Sequence, residues 1–348
     1  IKMHMKRLYL FIAFMSITIL NMAAQNLKGV ITLVHNGNES YFAYNKITEV
    51  INAAENGDTI TFSQGNFPGD FILNKAVTLI GIGTDEKERS GNCTILEGNV
   101  NINIPNSSKK TNLLFDGILF NQKVTFTSTF GDITLRRCLW STYFDFENCS
   151  IETLLLDRCD CHFYLGASWP TINQNLIAKN CNIYNLCTQG SKNYFYNCTI
   201  DACIWSRSNK NDHEEYYCPM GGYFENCIIR NKYAYLNYPY NDRDKNIISV
   251  IKNTLYDDYT PNIDVTKNCT LESCYTNSSE DTRITNLTKE ELEDNKYLGN
   301  DGTVVGYYGG STTYSFKNPD LPDFPISKKV HFNKEQEQIE VNININSK

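Results

Sequence analysis

The chain has 348 residues, 39 of them acidic and 32 basic, and its formal net charge at pH 7 is −7. A chain of this length ordinarily indicates two domains, although a repeat architecture can use it as one body. The negative charge argues against nucleic acid as a partner, and it provides no general attraction for an acidic polysaccharide.

The first segment has the features of a secretory signal peptide. Lys6 and Arg7 precede an apolar run at residues 8–20, which is followed by small residues ending at Ala24. Such a run is too short to span a bilayer. We therefore predict a signal peptide at residues 1–24 and a secreted protein, extracellular, surface-located or periplasmic, without a membrane span after cleavage.

The next segment predicts a strand, a short helix and two more strands. Residues 30–34 are apolar enough for a first strand. Apolar residues then recur at helical spacing, at Ile47, Val50, Ile51 and Ala54. We expect this helix to end near Gly57 and to be followed by strands at 59–62 and 77–80.

One short phrase recurs between residues 132 and 229: alternating apolar residues, then Asn or Arg, then Cys, then another apolar residue. Its cysteines are Cys138, Cys149, Cys159, Cys181, Cys198 and Cys227. The steps from Cys138 to Cys159 and on to Cys181 are 21 and 22 residues. This period, with alternation at every second residue and no helical stripe, predicts a β solenoid.

Each position of the phrase has a physical role. Asn tolerates a left-handed backbone, so the residue before Cys predicts a sharp bend between two strands, and Cys is a small apolar filler. Thr254 occupies the Cys position in a later turn. We count Tyr194, Tyr196 and Tyr223 among the alternating apolar residues.

The 13 cysteines would suggest disulfides in an exported protein, and their odd number leaves at least one unpaired. The repeat spacing favours two stacks of buried thiols, the second formed by Cys187, Cys203 and Cys274. Disulfides remain the alternative. A zinc site would need paired ligands at fixed short spacing, and Cys159 with Cys161 has no second pair, so we predict no metal.

Residues 47–85, "ITEVINAAENGDTITFSQGNFPGDFILNKAVTLIGIGTD", resemble the opening of right-handed parallel β-helix proteins of the pectin-lyase-like superfamily. With the repeats, the resemblance covers about residues 47–310. The phrase "DGTVVGYYGG" at 301–310 is similar to the closing phrase of many secreted bacterial β-helix proteins. The resemblance implies an all-β, right-handed single-stranded parallel β-helix with an N-terminal capping helix, and no particular activity.

We predict four parts of the chain: a signal peptide at 1–24, an N-terminal strand and helical cap at 25–75, the parallel β-helix at 76–310, and a C-terminal β tail at 311–348. Thr288 and Glu291 form a capping-box signature for a short helix through Leu298. In the tail, strands at 329–332 and 338–345 are expected to pair as a hairpin.

Two insertions interrupt the period. Cys198 and Cys227 are 29 residues apart, and Cys227 and Thr254 are 27 apart. Extra residues in a solenoid become loops on one face, often the binding face. We therefore predict functional loops at 204–222 and 230–246.

The first insertion carries the best cluster of reactive side chains. If the protein is an enzyme, its catalytic residues are expected here: Arg207, Lys210, His213, Glu214 and Tyr216. A histidine or tyrosine beside an arginine suits β-elimination on a uronic acid, and Ca²⁺ would be required only in that case. The alternative is a solvated charged loop. Of the carboxylate pairs and histidine phrases of familiar pectin-degrading hydrolases, the sequence contains only Asp257-Asp258, and it lacks the aspartate and glutamine phrases of the esterases.

The second insertion favours carbohydrate. Tyrosine and tryptophan rings present flat apolar faces with polar tips, against which sugars stack. The candidate residues are Tyr233, Tyr235, Tyr238, Tyr240 and Trp205. Packing onto the solenoid wall is the alternative.

Together these features favour a monomeric, non-catalytic secreted protein that binds a polysaccharide, a cell-surface glycan or another surface partner through the two insertions, without a cofactor. Two other hypotheses remain open. One is a polysaccharide lyase of the pectate-lyase-like type, and the other is a purely structural or adhesive surface protein.

Overall fold

The computed structural model describes most of the chain between residues 29 and 343. The described residues are 29–83, 93–105, 111–140, 142, 144–145, 149–162, 175–186, 193–202, 204–209, 212–217, 222–230, 249–257, 269–277, 287–311, 327–333 and 338–343. For the strands at 204–209, 212–217, 327–333 and 338–343, only the backbone pairing is described. The predicted signal peptide lies outside these ranges.

Most strands belong to three sheets. Sheet A contains, in spatial order, β2 (Asn38–Ala43), β1 (Val30–His35), β3 (Thr59–Phe62), β6 (Thr78–Ile80), β9 (Thr111–Asp116), β12 (Thr129–Arg136), β15 (Ser150–Asp157), β17 (Asn175–Lys179), β19 (Asn193–Tyr196), β23 (Gly222–Glu225), β25 (Ser249–Lys252) and β27 (Cys269–Glu272). Sheet B contains β28 (Tyr275–Asn277), β26 (Leu255–Asp257), β24 (Ile228–Arg230), β20 (Thr199–Ala202), β18 (Asn182–Leu186), β16 (Asp160–His162), β13 (Leu139–Trp140), β10 (Leu119–Phe120), β7 (Thr94–Leu96) and β4 (Gly65–Phe67).

The remaining elements are shorter. Sheet C contains β14 (Phe144–Asp145), β11 (Val124–Phe126), β8 (Val100–Ile102) and β5 (Phe71–Leu73). Two antiparallel ribbons are formed by β21 (Ile204–Asn209) with β22 (Asp212–Tyr217), and by β29 (Ser327–Asn333) with β30 (Gln338–Ile343). The helices are α1 (Ile47–Ala53) and α2 (Lys289–Asp294). The second ribbon agrees with the predicted C-terminal hairpin.

Successive strands of the chain visit the sheets in turn. For example, β12, β13 and β14 lie in sheets A, B and C, and β15 returns to sheet A beside β12. Strand pairs within the three sheets are parallel, except that β1 is antiparallel to both of its neighbours, β2 and β3. The prediction of an all-β chain with stacked parallel strands is therefore confirmed.

The interior is built from residues at every second position of each strand. In sheet A, Leu135 pairs with Leu156, which pairs with Ala178, and all three are 0% exposed. Further along the same inward column, the rings of Phe195 and Phe224 stack at 4.8 Å with planes 5° apart. Burial of one face of every strand against the other sheets supplies the main driving force for stacking the turns.

A left-handed residue makes the bend between sheets A and B in each of eight successive turns. These residues, all with φ between 46° and 66°, are Gly117, Arg137, Arg158, Asn180, Asn197, Asn226, Asn253 and Ser273. The bend predicted from the Asn-Cys phrase is confirmed. Four of the eight are asparagines, which adopt this conformation at lower cost than most residues with a side chain.

The residue after each bend fills the corner of the core. Five cysteines in this position are 0% exposed: Cys138, Cys159, Cys181, Cys198 and Cys227. Each thiol donates to the carbonyl two residues before it, as Cys198 does to Tyr196 at 3.3 Å. Thr254 takes the same position in the next turn, and its hydroxyl donates to the Lys252 carbonyl at 2.8 Å. We call this series of residues, one after each bend, the cysteine column.

The predicted cysteine assignment needs two corrections. Cys274 follows the left-handed Ser273, so it continues the cysteine column rather than a second stack, while Cys269 begins β27. Cys149 directly precedes β15 and therefore lies at the entrance to sheet A, outside the column. Nine cysteines are free thiols, namely Cys93, Cys138, Cys149, Cys159, Cys161, Cys181, Cys198, Cys227 and Cys274. Cys187 and Cys203 lie outside the described residues.

Both helices are short. Helix α1 buries Ile47, Val50 and Ile51 in the main core, and it ends at Ala53, four residues before the predicted end. Helix α2 begins with the predicted capping box of Thr288 and Glu291, but it ends at Asp294. Among the described residues, no helix is long and apolar enough to cross a membrane.

Candidate functional site

Three tyrosines lie together on the outer face of sheet A. Tyr194 on β19 is directly opposite Tyr223 on β23, and Tyr196 is two residues further along β19. The ring of Tyr223 lies 6.4 Å from that of Tyr194 and 5.9 Å from that of Tyr196, with interplanar angles of 44° and 49°. Tyr194 is 39% exposed. We call these three residues the tyrosine platform.

The position of the tyrosine platform corrects the sequence prediction. The repeat phrase places Tyr194, Tyr196 and Tyr223 among its alternating apolar residues. In the structure, Phe195 and Phe224 occupy the inward positions and are 0% exposed. The inward residue stands three places before the Cys in each turn, and the tyrosines stand two or four places before it. Counting back from the Cys would have placed them outside.

The platform lies beside a C-terminal segment that passes over the bends between sheets A and B. Residues 297–311, which we call the strap, run along the outside of three consecutive turns. Side-chain amides of bend asparagines donate hydrogen bonds to the strap: Asn226 to Asn300 Oδ1 at 2.9 Å, Asn197 to Asp301 Oδ2 at 3.4 Å, and Asn180 to the carbonyl of Gly309. These asparagines are nearly buried, so the bonds are shielded from water.

A small second core holds the strap against sheet B. Val304 and Val305 of the strap pack with Leu292 of α2 on the outward side chains of Ile228 and Leu255. Gly306 has φ +83°, and a Cβ there would lie 2.6 Å from the Ile228 side chain. A glycine is therefore required for this close approach.

An open cleft of about 720 Å³ lies between the outer face of sheet A and the strap. Its lining residues are Ile177, Lys179, Asn180, Tyr194, Tyr196, Asn197, Asp301, Gly310 and Ser311. This volume is within the range of about 300–1,000 Å³ typical of clefts that hold small ligands. Apolar ring faces and polar groups of both signs thus face the same space.

Burial and nearby charge act on two tyrosines of the platform, Tyr196 and Tyr223. Desolvation first, and the nearby Glu225 carboxylate second, raise the pKa of Tyr196 and of Tyr223 above its ordinary value. Both phenols therefore remain neutral hydrogen-bond donors at neutral pH rather than bases. Lys252 Nζ lies 5.9 Å from the centre of the Tyr223 ring and 2.8 Å from a carboxylate oxygen of Glu272.

The predicted catalytic cluster falls on an antiparallel ribbon, β21–β22, where the sequence predicted a loop. Arg207 is opposite Glu214, and Trp205 is opposite Tyr216. Residues directly opposite each other share a face, so these four belong to one face of the ribbon. His213 is one residue out of phase with Glu214 and belongs to the other face.

Both insertions start from the same side of the stacked sheets. The first connects β20 to β23, and the second connects β24 to β25. Because β20 and β24 are neighbours in sheet B, and β23 and β25 are neighbours in sheet A, the insertions arise at the same corner in consecutive turns. The other candidate residues lie outside the described part of the chain: Lys210, Tyr233, Tyr235, Tyr238 and Tyr240.

The part of the chain that the structure describes contains no group of three His, Cys, Asp or Glu residues arranged to hold a metal ion. Neither a protein-family model, nor a curated protein, nor a solved structure matches the chain.

Proposed function

We propose that the chain is a secreted, right-handed parallel β-helix protein that binds carbohydrate without transforming it. The ligand would lie on the tyrosine platform and in the adjoining cleft. The insertions at 204–222 and 230–246 would extend the surface. Secretion and carbohydrate binding are inferences from the signal-like N-terminus and from the chemistry of the exposed side chains.

The observation that carries this proposal is the contact between Tyr223 and the two tyrosines of β19, beside a cleft of ligand size. Sugars have apolar C–H faces and a rim of hydroxyl groups. An exposed phenol matches both, since its ring stacks on the face and its hydroxyl reaches the rim. A contiguous group of exposed and half-buried aromatic rings is typical of a ligand-binding surface.

The proposal includes two features of the architecture, the cap at the N-terminal end and the hand of the coil. Helix α1 precedes the first parallel strand, β3, and buries Ile47, Val50 and Ile51 in the same core as the strands. We assign it the role of closing the N-terminal end of the β-helix, which would otherwise expose apolar surface. The right hand of the coil follows the general preference for parallel crossover connections.

A glycan array tests the proposal. The protein without its signal peptide is expected to bind at least one glycan, and Tyr194→Ala is expected to lower that signal at least about tenfold. Tyr41→Ala is the matched control, because Tyr41 is 47% exposed on the same sheet, on the edge strand β2, which seven strands separate from β19. Tyr235→Ala and Tyr238→Ala report separately on the second insertion.

The same preparation tests the two alternatives. A polysaccharide lyase would release unsaturated product from a panel of uronans, and that product would disappear in Arg207→Ala or His213→Ala. Such a result would replace the binding proposal by the lyase hypothesis. A purely structural or adhesive protein would bind none of the glycans, or would bind equally after Tyr194→Ala.

A further inference from the structure

On the premise that the site binds carbohydrate, we propose that its ligand is a neutral glycan taken up as a single flexible chain. This excludes two other classes, acidic polysaccharides and the flat faces of crystalline polymers. The distinction comes from two independent features of the platform, the tilt of its rings and the charges that surround it.

The tilt of the rings bears on the shape of the ligand. The plane of Tyr223 makes angles of 44° and 49° with those of Tyr194 and Tyr196. Rings that stack on one flat crystalline face must be nearly coplanar, because stacking requires each ring to lie parallel to the surface it contacts. Rings tilted by this amount match successive sugars of a chain that turns from one residue to the next.

The two facing tyrosines, Tyr194 and Tyr223, are aligned across the strands, which suits a glycan chain that runs perpendicular to them. Tyr194 and Tyr223 stand on neighbouring strands, which are separated by roughly 4.8 Å in a sheet. A glycan running parallel to the stack of turns would meet one ring on each strand. The strap forms the far side of the cleft, so the chain would contact protein on two sides, which an extended crystal face is too wide to do.

The charges bear on the chemistry of the ligand. Three carboxylates surround the platform and cleft, those of Glu225, Glu272 and Asp301, against the two cations Lys179 and Lys252. Lys252 is already paired with Glu272. A polyanion would bring its own carboxylates towards this negative surface, on a chain whose net charge is also negative.

The cleft instead offers donors and acceptors for neutral hydroxyl groups. The phenols of Tyr194 and Tyr196 and the exposed ammonium of Lys179 supply donors, and the Asp301 carboxylate supplies acceptors. A sugar hydroxyl is both donor and acceptor, so it is satisfied by such a mixture. A ligand carboxylate is an acceptor only, so it could not donate to the Asp301 carboxylate and would face its like charge.

Calorimetry on the protein without its signal peptide tests this inference with defined probes. The neutral probes are cellohexaose, xylohexaose and mannohexaose, and the acidic probe is hexagalacturonate. Binding to a crystalline polymer is measured separately, as the loss of protein from solution when microcrystalline cellulose is added and removed by centrifugation. Each measurement is repeated with Tyr223→Ala and with the control Tyr41→Ala.

We expect one neutral hexaose to bind at least about tenfold more tightly than hexagalacturonate, with no depletion by the crystalline polymer. That binding should weaken at least about tenfold in Tyr223→Ala and stay unchanged in Tyr41→Ala. Tighter, Tyr223-dependent binding to hexagalacturonate or to crystalline cellulose would overturn this inference and leave carbohydrate binding in place. Absence of binding to every probe, or binding that is insensitive to Tyr223→Ala, would overturn both.

Discussion

Asn226 and Asn300 form a reciprocal pair of hydrogen bonds across 74 residues of sequence. Nδ2 of Asn226 donates to Oδ1 of Asn300 over 2.9 Å, and the backbone N–H of Asn300 donates to Oδ1 of Asn226 over 3.1 Å. Asn226 also has the left-handed backbone of a bend, with φ 55°. One residue therefore both turns the chain between two sheets and attaches the strap that forms the wall of the cleft.

The attachment of the strap can be measured by substitution. Asn226→Gly keeps the left-handed bend and removes the amide, so we expect the free energy of unfolding to fall by about 1–3 kcal/mol. Asn253→Gly is the control, because Asn253 makes the next bend, with φ 46°, and no strap bond to it is among the described contacts. Urea denaturation of both variants gives the comparison. Equal effects would mean that the amide bonds do not stabilise the strap.

Two buried thiols of the cysteine column, Cys138 and Cys198, should be inert to thiol reagents in the folded protein. Burial raises the pKa of Cys138 to about 12, and burial also raises that of Cys198 well above its ordinary value. Because the thiolate is the reactive species, iodoacetamide at pH 8 should label neither residue until the protein is unfolded. Cys274, at the half-buried end of the column, should react first. Peptide mass spectrometry would contradict this if Cys198 and Cys274 were labelled at similar native rates.

Stability should depend on pH through His35. Its hydrogen bond to Asp58, at 2.8 Å, raises the pKa of the imidazole above 6.5, helped by the Asp58 and Glu55 charges. A raised pKa in the folded state means that the contribution is fully present below about pH 6.5 and is lost as pH rises through the folded-state value. We expect the Tm difference between the native protein and His35→Gln to shrink from pH 6 to pH 9. A difference that stays constant over this range would rule out the ion pair as its source.

The end of helix α1 depends on a lysine from the following turn. Lys75 Nζ donates to the carbonyls of Ile51 at 2.9 Å and Asn52 at 2.7 Å, which have no partner within the helix. Lys75→Met should therefore lower the free energy of unfolding by about 1–3 kcal/mol. Lys46→Met is the matched control, since its exposed pair with Glu49 is worth less than about 1 kcal/mol. Chemical denaturation that ranks the two variants the other way would contradict this role.

The sequence predicted the features of the fold that repeat. Bends at Asn180, Asn197 and Asn226 follow from the conformational tolerance of asparagine, and the buried thiols follow from the period of 21 to 22 residues. Thr254 was placed in the Cys position by spacing alone, and its hydroxyl bond shows why threonine fits there. These features depend on the backbone preference of single residues and on the alternation of apolar and polar residues along a strand. The sequence of one turn is enough to encode both.

The features that do not repeat were missed. The strap is attached by bonds such as Asn180 to Gly309, across 129 residues, and no period connects these positions. The tyrosine platform was assigned to the core because tyrosine is apolar enough to match the alternation, so an error of one residue in phase reversed Tyr194 and Tyr196. The sequence predicts a loop at the β21–β22 ribbon because these residues exceed the repeat period, and extra residues in a solenoid ordinarily form loops.

Protection of Tyr194 by bound glycan tests the central claim most directly. The protein is exposed to hydroxyl-radical oxidation with and without the glycan that gives the strongest array signal, and modified tyrosines are located by peptide mass spectrometry. Tyr194 and Tyr41 are similarly exposed, at 39% and 47%, so they provide an internal comparison. We predict that the glycan slows oxidation of Tyr194 severalfold and leaves Tyr41 unchanged. Equal rates at Tyr194 with and without the glycan would contradict the assignment of the platform as the binding site.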